Sequence, residues 1–534
     1  MRQYLPRSAA GVALAVAVVL VIGGAAAPAG AGAAPAAGRA PAPVTSSLSS
    51  AFPVRDSVLN GVSAVSGSDA WAVGYETGAS ALASTTLILH WNGTAWSPVK
   101  SPNPGSYSNQ LYGVSAVSGS DAWAVGSYTD PSGGALTYKT LILHWNGTAW
   151  SKVDSPNPSP GTFNELYGVS AVSGSDAWAV GRYSDGPAIA YATLILHWNG
   201  TAWTQVNSPN PGIDPLSSPA NYLQGVSARS GSDAWAVGGY DNDHNGTGIG
   251  SLVAHWNGTA WTQITSPAAP YRVFGLDGVS AVSGSDAWAV GDYSVSGEYM
   301  TSTLILHWNG TAWTQVNSPS PGPGQSENGL DGVSAVSGSD AWAVGNYNSD
   351  VNPAHDTLIL HWNGTAWTQV KSPSPSRTDN FLTGVSAVSG SGAWAVGYDN
   401  NAFGDYQMLV LRWNGTAWAN APAVKTATSV SSSANPVTTG NRVTYTATVT
   451  PTPAQNVGTV NFYDNGSRIR GCSTNIGPGR FTCTVIYDSD DAGSHTIKAT
   501  YSGYSVLAGR STSPPLTETV TAPAQPRGQF HPGR

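Results

Sequence analysis

Charge is scarce in this chain: Asp, Glu, Lys and Arg make up 10% of its 534 residues, and the net charge is -8. No basic stripe is available for a phosphate backbone, which argues against nucleic acid as a partner and against binding to an anionic membrane surface. Cysteine is limited to Cys472 and Cys483, so the preceding 471 residues hold no thiolate pair for a metal. Past the N-terminus the 3.6-residue hydrophobic period of helices is missing. So are the nucleophile elbow, HExxH and the glycine-rich phosphate loop. The arginines Arg182, Arg229, Arg272, Arg377 and Arg412 are scattered and do not cluster for a substrate carboxylate. The one long apolar run, residues 9–22, is too short for a confident membrane span. With Arg2 and Arg7 before it and Ala25-Ala26-Ala27 after it, residues 1–34 read as a secretory signal, an uncleaved anchor being the alternative. Residues 35–55 then form a low-complexity Ala/Pro/Gly linker. The expected product is secreted, without membrane insertion after signal cleavage, and monomeric.

Turn formers and tryptophan are abundant instead: 63 Gly, 36 Pro and 21 Trp. Such a mixture suits short strands and many turns. The segment GVSAVSGSDAWAVG recurs with its first Gly at 61, 113, 168, 225, 278, 332 and 384, a spacing of 52 to 57 residues. Each copy is followed by TLILHWNGTAW or a close relative, and each of the seven units holds three Trp. Four strand candidates per unit, at 62–66, 70–73, 86–91 and 95–99 in the first, are the pattern of a β-propeller blade. Residues 56–420 are therefore expected to form a seven-bladed propeller, with repeats starting near 60, 112, 167, 224, 277, 331 and 383. Asn92-Gly93 is a two-residue hairpin signal that would pair Trp91 with Thr94 and Leu89 with Trp96. Strand alternation then places Leu87, Leu89, Trp91 and Trp96 on one face, and Trp71, Trp91 and Trp96 read as inter-blade core. An exposed tryptophan belt for carbohydrate is the alternative.

The WNGTAW hairpin resembles the Asp-box turn, S-x-D-x-G-x-T-W, of sialidase-type propellers and of secreted bacterial propellers with similar repeats. It has Asn92 where the box has Asp, and it lacks the Ser. The resemblance implies a structural turn away from any active site.

Beyond Trp418 the pattern changes to alternating strands at 443–449, 458–463, 480–486 and 495–501, read as a small β-sandwich over residues 425–520. GTVNFYDNGS and AGSHTIKATYSG resemble bacterial immunoglobulin-like repeats, which implies a spacer or adhesion module without catalytic residues. Cys472 and Cys483 flank a hairpin turn around Gly477 and Gly479 and are expected to form a disulfide. Residues 521–534 are expected to be a disordered tail. The fold class is all-β: a seven-bladed β-propeller followed by an Ig-like sandwich.

Two polar residues recur: the Asp of SGSD (Asp69, Asp121, Asp176, Asp233, Asp286, Asp340) and the His of LHW (His90, His144, His197, His255, His307, His361). Equivalent positions are spread around a ring and cannot converge on one ion, so neither a metal site nor any cofactor is expected. The seventh copy loses both at once, having Gly392 and Arg412. That joint loss points to an Asp–His hydrogen bond within each blade, typified by Asp69 with His90.

Sequence change concentrates in the stretches after AWAVG. Each copy has a Tyr there (Tyr75, Tyr128, Tyr183, Tyr240, Tyr293, Tyr347, Tyr398), and the following loops carry surplus carboxylates, among them Asp241, Asp243, Asp292, Glu298, Asp350 and Asp405. A tyrosine ring can stack on sugars or anchor a protein, whereas packing at the loop bases is its structural alternative. The expected function is extracellular, non-catalytic binding or adhesion, with a glycan or cell-surface protein held on the variable-loop face. A structural envelope or matrix scaffold is the alternative, and a glycoside hydrolase or lyase the second.

Overall fold

The computed structural model describes residues 56–523 except 78–82, 131–136, 160–162, 186–189, 213–219, 242–248, 268–272, 295–300, 323–325, 349–353, 401–404 and 454–457. The expected signal and linker therefore lie outside the described residues, as do Asp243, Glu298 and Asp350. Seven four-stranded antiparallel sheets span residues 57–98, 109–153, 164–206, 221–263, 273–315, 328–369 and 380–420. In blade 1 the strands are Ser57–Ser66, Asp69–Thr77, Ser84–Trp91 and Trp96–Pro98, hydrogen-bonded in chain order. Among the described residues no helix is long and apolar enough to cross a membrane.

Successive blades pack by one repeated contact. Trp71 of blade 1 meets Trp145 and Trp150 of blade 2 at 5.0 and 5.2 Å between ring centroids. Trp394 of blade 7 meets Trp91 and Trp96 of blade 1 in the same way, both at 5.0 Å. All three tryptophans of blade 1 are buried, and each such ring contributes roughly 2–3 kcal/mol by burial. Innermost strands are tied by a serine relay: Ser63 Oγ accepts the Ala116 N–H at 3.0 Å, and the series ends with Ser386 accepting the Ala64 N–H at 3.0 Å. The ring is thus closed by blade 7 against blade 1, and among the described residues no strand is exchanged between sheets. The Gly opening each GVSA segment sits where innermost backbones approach closely: a Cβ on Gly113 would lie 2.7 Å from the Tyr167 carbonyl oxygen.

The WNGTA turn is longer than the sequence suggests. Trp91 pairs with Trp96 and Leu89 with Pro98, so four residues, and not two, connect the strands. Among Asn92, Gly93, Thr94 and Ala95 only Gly93 has positive φ, at 93°. The Asn92 side-chain oxygen accepts from the Thr94 and Ala95 N–H groups, both at 3.0 Å, which stabilises an Asx turn in place of type I′. A register error of two residues leaves every side chain on its own face. Leu87, Leu89, Trp91 and Trp96 accordingly share one buried cluster.

The C-terminal module is a two-sheet sandwich. One sheet orders Ala427–Ser432, Arg442–Thr450, Arg480–Ile486 and Thr474–Gly477; the other contains Val460–Asp464, Gly493–Tyr501 and Leu516–Thr521. Tyr445, Phe462, Phe481, Ile497 and Tyr501 fill the space between them. Cys472 and Cys483 are disulfide-bonded, their Cα atoms 4.8 Å apart.

Candidate binding face

Each blade presents two kinds of edge. The SGSD and WNGTA turns lie on one face of the ring; the loop between the second and third strands and the blade-to-blade linker lie on the other.

On the turn face, hydrogen bonds are made within the repeat. All six Asp–His pairs are in direct contact, from 2.8 Å for Asp69–His90 to 2.9 Å in the other five. Each His also packs against the Trp of its second strand with ring centroids 4.2 Å apart, stacked in the case of His90 on Trp71. In blade 7 the Arg412 guanidinium takes that place, 5.1 Å from Trp394 and 5.3 Å from Trp91. The Asp also reaches the next blade: a Cβ on Gly119 would lie 2.7 Å from Asp69 Oδ2. The Asn of every WNGT turn is engaged by its own turn, as at Asn257.

The loop face differs from blade to blade. The seven tyrosines do not form one ring, because the Tyr after AWAVG falls at two register positions. Tyr128 pairs with Lys139, whereas Tyr75 pairs with Thr86, whose counterpart in blade 2 is Thr140, opposite Ser127. Tyr75 and Tyr398 therefore point to the opposite side of their sheets and are buried, at 3% and 5% exposure. Burial, more than the nearby Tyr406 and Asp56, pushes the Tyr75 phenol well above its usual range. Tyr128, Tyr183, Tyr240, Tyr293 and Tyr347 pack half-buried against the clusters between blades. Of the carboxylates, Asp292 is buried at 2% exposure, and Asp241 ends the strand Asp233–Asp241.

A different group of residues converges over blades 2 and 3. Tyr138 and Phe163 stack at 4.6 Å with an interplanar angle of 20°, and Tyr191 lies 6.1 Å beyond Phe163. All three are half-buried. Beneath Tyr191 runs Arg182, its guanidinium 4.4 Å from the ring centroid and 3.0 Å from Glu165. The Tyr167 hydroxyl donates to the same carboxylate at 2.5 Å. Burial opposes the Arg182 charge most, and Tyr167 and Glu165 more than offset it. Arg182 and Glu165 are 8% and 6% exposed, so this is a buried ion pair. Such pairs add little net stability over an apolar substitute of equal volume. A polar centre is thereby fixed directly under an aromatic row.

Sequence reasoning missed this group because it counted forward from AWAVG across loops of unequal length. Counting back two residues from the TLIL segment aligns Ser84, Tyr138, Tyr191, Ile249, Thr301, His355 and Tyr406. That position opens or nearly opens the third strand, on the loop face, and is aromatic in four blades.

Residues 430–521 match the bacterial Ig-like domain (group 3). No curated protein matches the chain in sequence. Among solved structures, YCF48 bound to D1 peptide is 14% identical with a TM-score of 0.40, covering 68% of this chain and 94% of that one. The GH74 xyloglucanase from Xanthomonas campestris is 12% identical at 0.44, covering 74% and 58%. A PL25 ulvan lyase is 11% identical at 0.45, covering 66% and 92%.

Proposed function

We propose that this is an exported, non-catalytic binding protein that holds a neutral glycan on the loop face of its propeller, across blades 2 and 3. The observation that carries the reading is the half-buried row of Tyr138, Phe163 and Tyr191 over the Arg182–Glu165 pair. Sugar rings present apolar C–H faces that stack on such rings, and a rigid aromatic loses little conformational entropy on binding. Arg182 already serves Glu165, so the site offers hydrogen-bonding edges without a surplus positive charge for a polyanion. The six Asp–His pairs are distributed one in each of blades 1 to 6 and engage each other, which makes them parts of the scaffold and not one reaction centre. Export is supported by the N-terminal signal pattern and by the disulfide, which persists in oxidising compartments.

A glycan array probed with the full chain tests this directly, followed by the triple change Tyr138→Ala, Phe163→Ala and Tyr191→Ala. Each lost stacking contact is worth roughly 0.5–1.5 kcal/mol, so affinity should fall about tenfold or more while the thermal midpoint moves little. A glycan bound equally well by the triple variant would place the site elsewhere. Release of reducing ends or unsaturated sugars from a bound glycan would make the protein an enzyme.

A further inference from the structure

The contact between blade 7 and blade 1 departs from the common pattern of the others at three positions, one of which blade 5 also lacks. The residue following the fourth strand, or ending it, is a Val or Ile that packs into the next inter-blade cluster: Val99, Val153, Val206, Ile264, Val316 and Val370. In blade 7 it is Ala421, too short to fill the same space. In blades 3 to 6 the Thr or Ser of the third strand takes a linker serine onto its backbone carbonyl, as Ser208 does at Thr193 and Ser318 at Thr303, and in blades 1 and 2 the linker serine bonds the Thr hydroxyl. Blade 7 has Met408 there, and no eighth blade whose linker would supply a serine. The residue opening the first strand is an Asn that clips the incoming linker, as Asn109 does to both backbone groups of Gly105. Asn164, Asn221, Asn328 and Asn380 act likewise. Blade 5 has Phe274 at this position, and blade 1, which no linker enters from blade 7, has Ser57.

One tight turn of the C-terminal sandwich meets all three departures. Val506 is 4% exposed and lies in the cluster with Ala421, Met408, Leu87 and Trp96. Ser505 donates its hydroxyl to the Met408 carbonyl at 2.7 Å. Tyr504 and Ser57 are joined through their hydroxyl groups. The turn is closed by the Tyr504–Ala508 bridge, with Ser505 held at a left-handed φ of 46°. Val424 fixes its base, donating to the Val506 carbonyl at 3.1 Å and accepting from the Gly509 N–H at 2.7 Å. Ala508 belongs to the core of the sandwich, and Tyr504 packs against both that core and the blade 7–blade 1 cluster.

We infer that the Ig-like domain is the clasp of the propeller: its 504–508 turn reproduces, from outside the repeat, the blade-to-blade linker that the seventh blade lacks. The three turn residues meet the three departures position by position. The domain therefore acts on the ring's stability as well as extending it.

Amide hydrogen exchange on the full chain tests the clasp, comparing Val506→Asp with wild type. An aspartate at the buried tip should speed exchange about tenfold or more in Ser57–Ser66 and Tyr406–Trp413, while Asn164–Ser173 and Arg480–Ile486 keep their protection. Unchanged exchange at the blade 7–blade 1 contact overturns the inference. So does acceleration confined to the sandwich. If Val506→Asp does not fold, Val506→Ala decides: it should loosen the same two strands selectively, and adding Ala421→Val should restore part of their protection. Equal loosening of all blades, or no restoration, counts against the clasp.

Discussion

His355 shows how one side chain can carry a pH dependence that a repeat-based reading passes over. It opens the strand His355–Trp362, with Nδ1 2.8 Å from Asp379 and Nε2 3.1 Å from Glu327. Burial is the largest influence and lowers its pKa, but the hydrogen bonds and charges of the two carboxylates raise it further, to a net value above 6.5. The protonated ring is thus favoured in the folded state. Its stabilisation is complete below the unfolded value near 6.5 and is lost as pH rises through the folded value. His495 is raised too, by the Asp491 carbonyl and by Asp464 against burial, but it lies in the sandwich. Asp399, pushed by burial to about 6, loses its contribution in the same direction at lower pH. Tryptophan fluorescence melts from about pH 6.5 to 9 should show a falling midpoint for the propeller in wild type. His355→Gln should flatten that slope; an unaltered slope would remove His355 as its source. The Asp–His pairs were legible in the sequence because blade 7 drops both partners together. His355 was not, since its counterparts are Tyr, Ser, Thr and Ile, and its partners come from two different linkers.

The turn element carries the repeat's most uniform chemistry. In blade 4, Gly258 sits at φ 90°, and a Cβ there would lie 3.0 Å from the Ser232 Cβ. The conformation strains any side chain there, and Ser232 would have to give way to a Cβ. Gly258→Ala should cost about 1–3 kcal/mol. Asn257→Ala removes an oxygen that accepts from Thr259 N–H, Thr259 O–H and Ala260 N–H, all at 3.0 Å. Its loss should cost about 1–2 kcal/mol. Urea midpoints of the two variants measure both, and a pair of midpoints equal to wild type would mean the turn geometry is not stabilising. Asn-Gly identified this turn from sequence alone, yet the register came out two residues short, because Asn92 acts through its side chain and not through a positive φ. The faces survived the error since two residues is one full strand period. The tyrosines fared differently: Tyr75 and Tyr398 are displaced by a single residue from their counterparts, and one residue reverses the face.

At the scale of the whole molecule, seven blades and a sandwich were readable from the 52 to 57 residue spacing and from the change of pattern after Trp418. Their union was not. Ser57, Met408 and Ala421 look like ordinary wear at the ends of a repeat array until Tyr504, Ser505 and Val506 are placed against them. Contacts between segments 97 to 447 residues apart leave no local pattern. Their thermodynamic consequence is coupling: breaking the blade 7–blade 1 contact exposes Val506 and part of Tyr504, and melting the sandwich withdraws the turn that fills it. All 21 Trp lie in the repeats, so indole fluorescence reports the propeller alone. The disulfide lies in the sandwich, so the reactivity of Cys472 and Cys483 under mild reductant reports the other unit. In the wild-type chain both signals should change in one coincident thermal transition. In Val506→Asp the transitions should separate, with the tryptophan signal moving to lower temperature. Two separate transitions in the wild-type protein would show that the domains unfold independently, because a clasp that stabilises the ring cannot melt without lowering the ring's own midpoint.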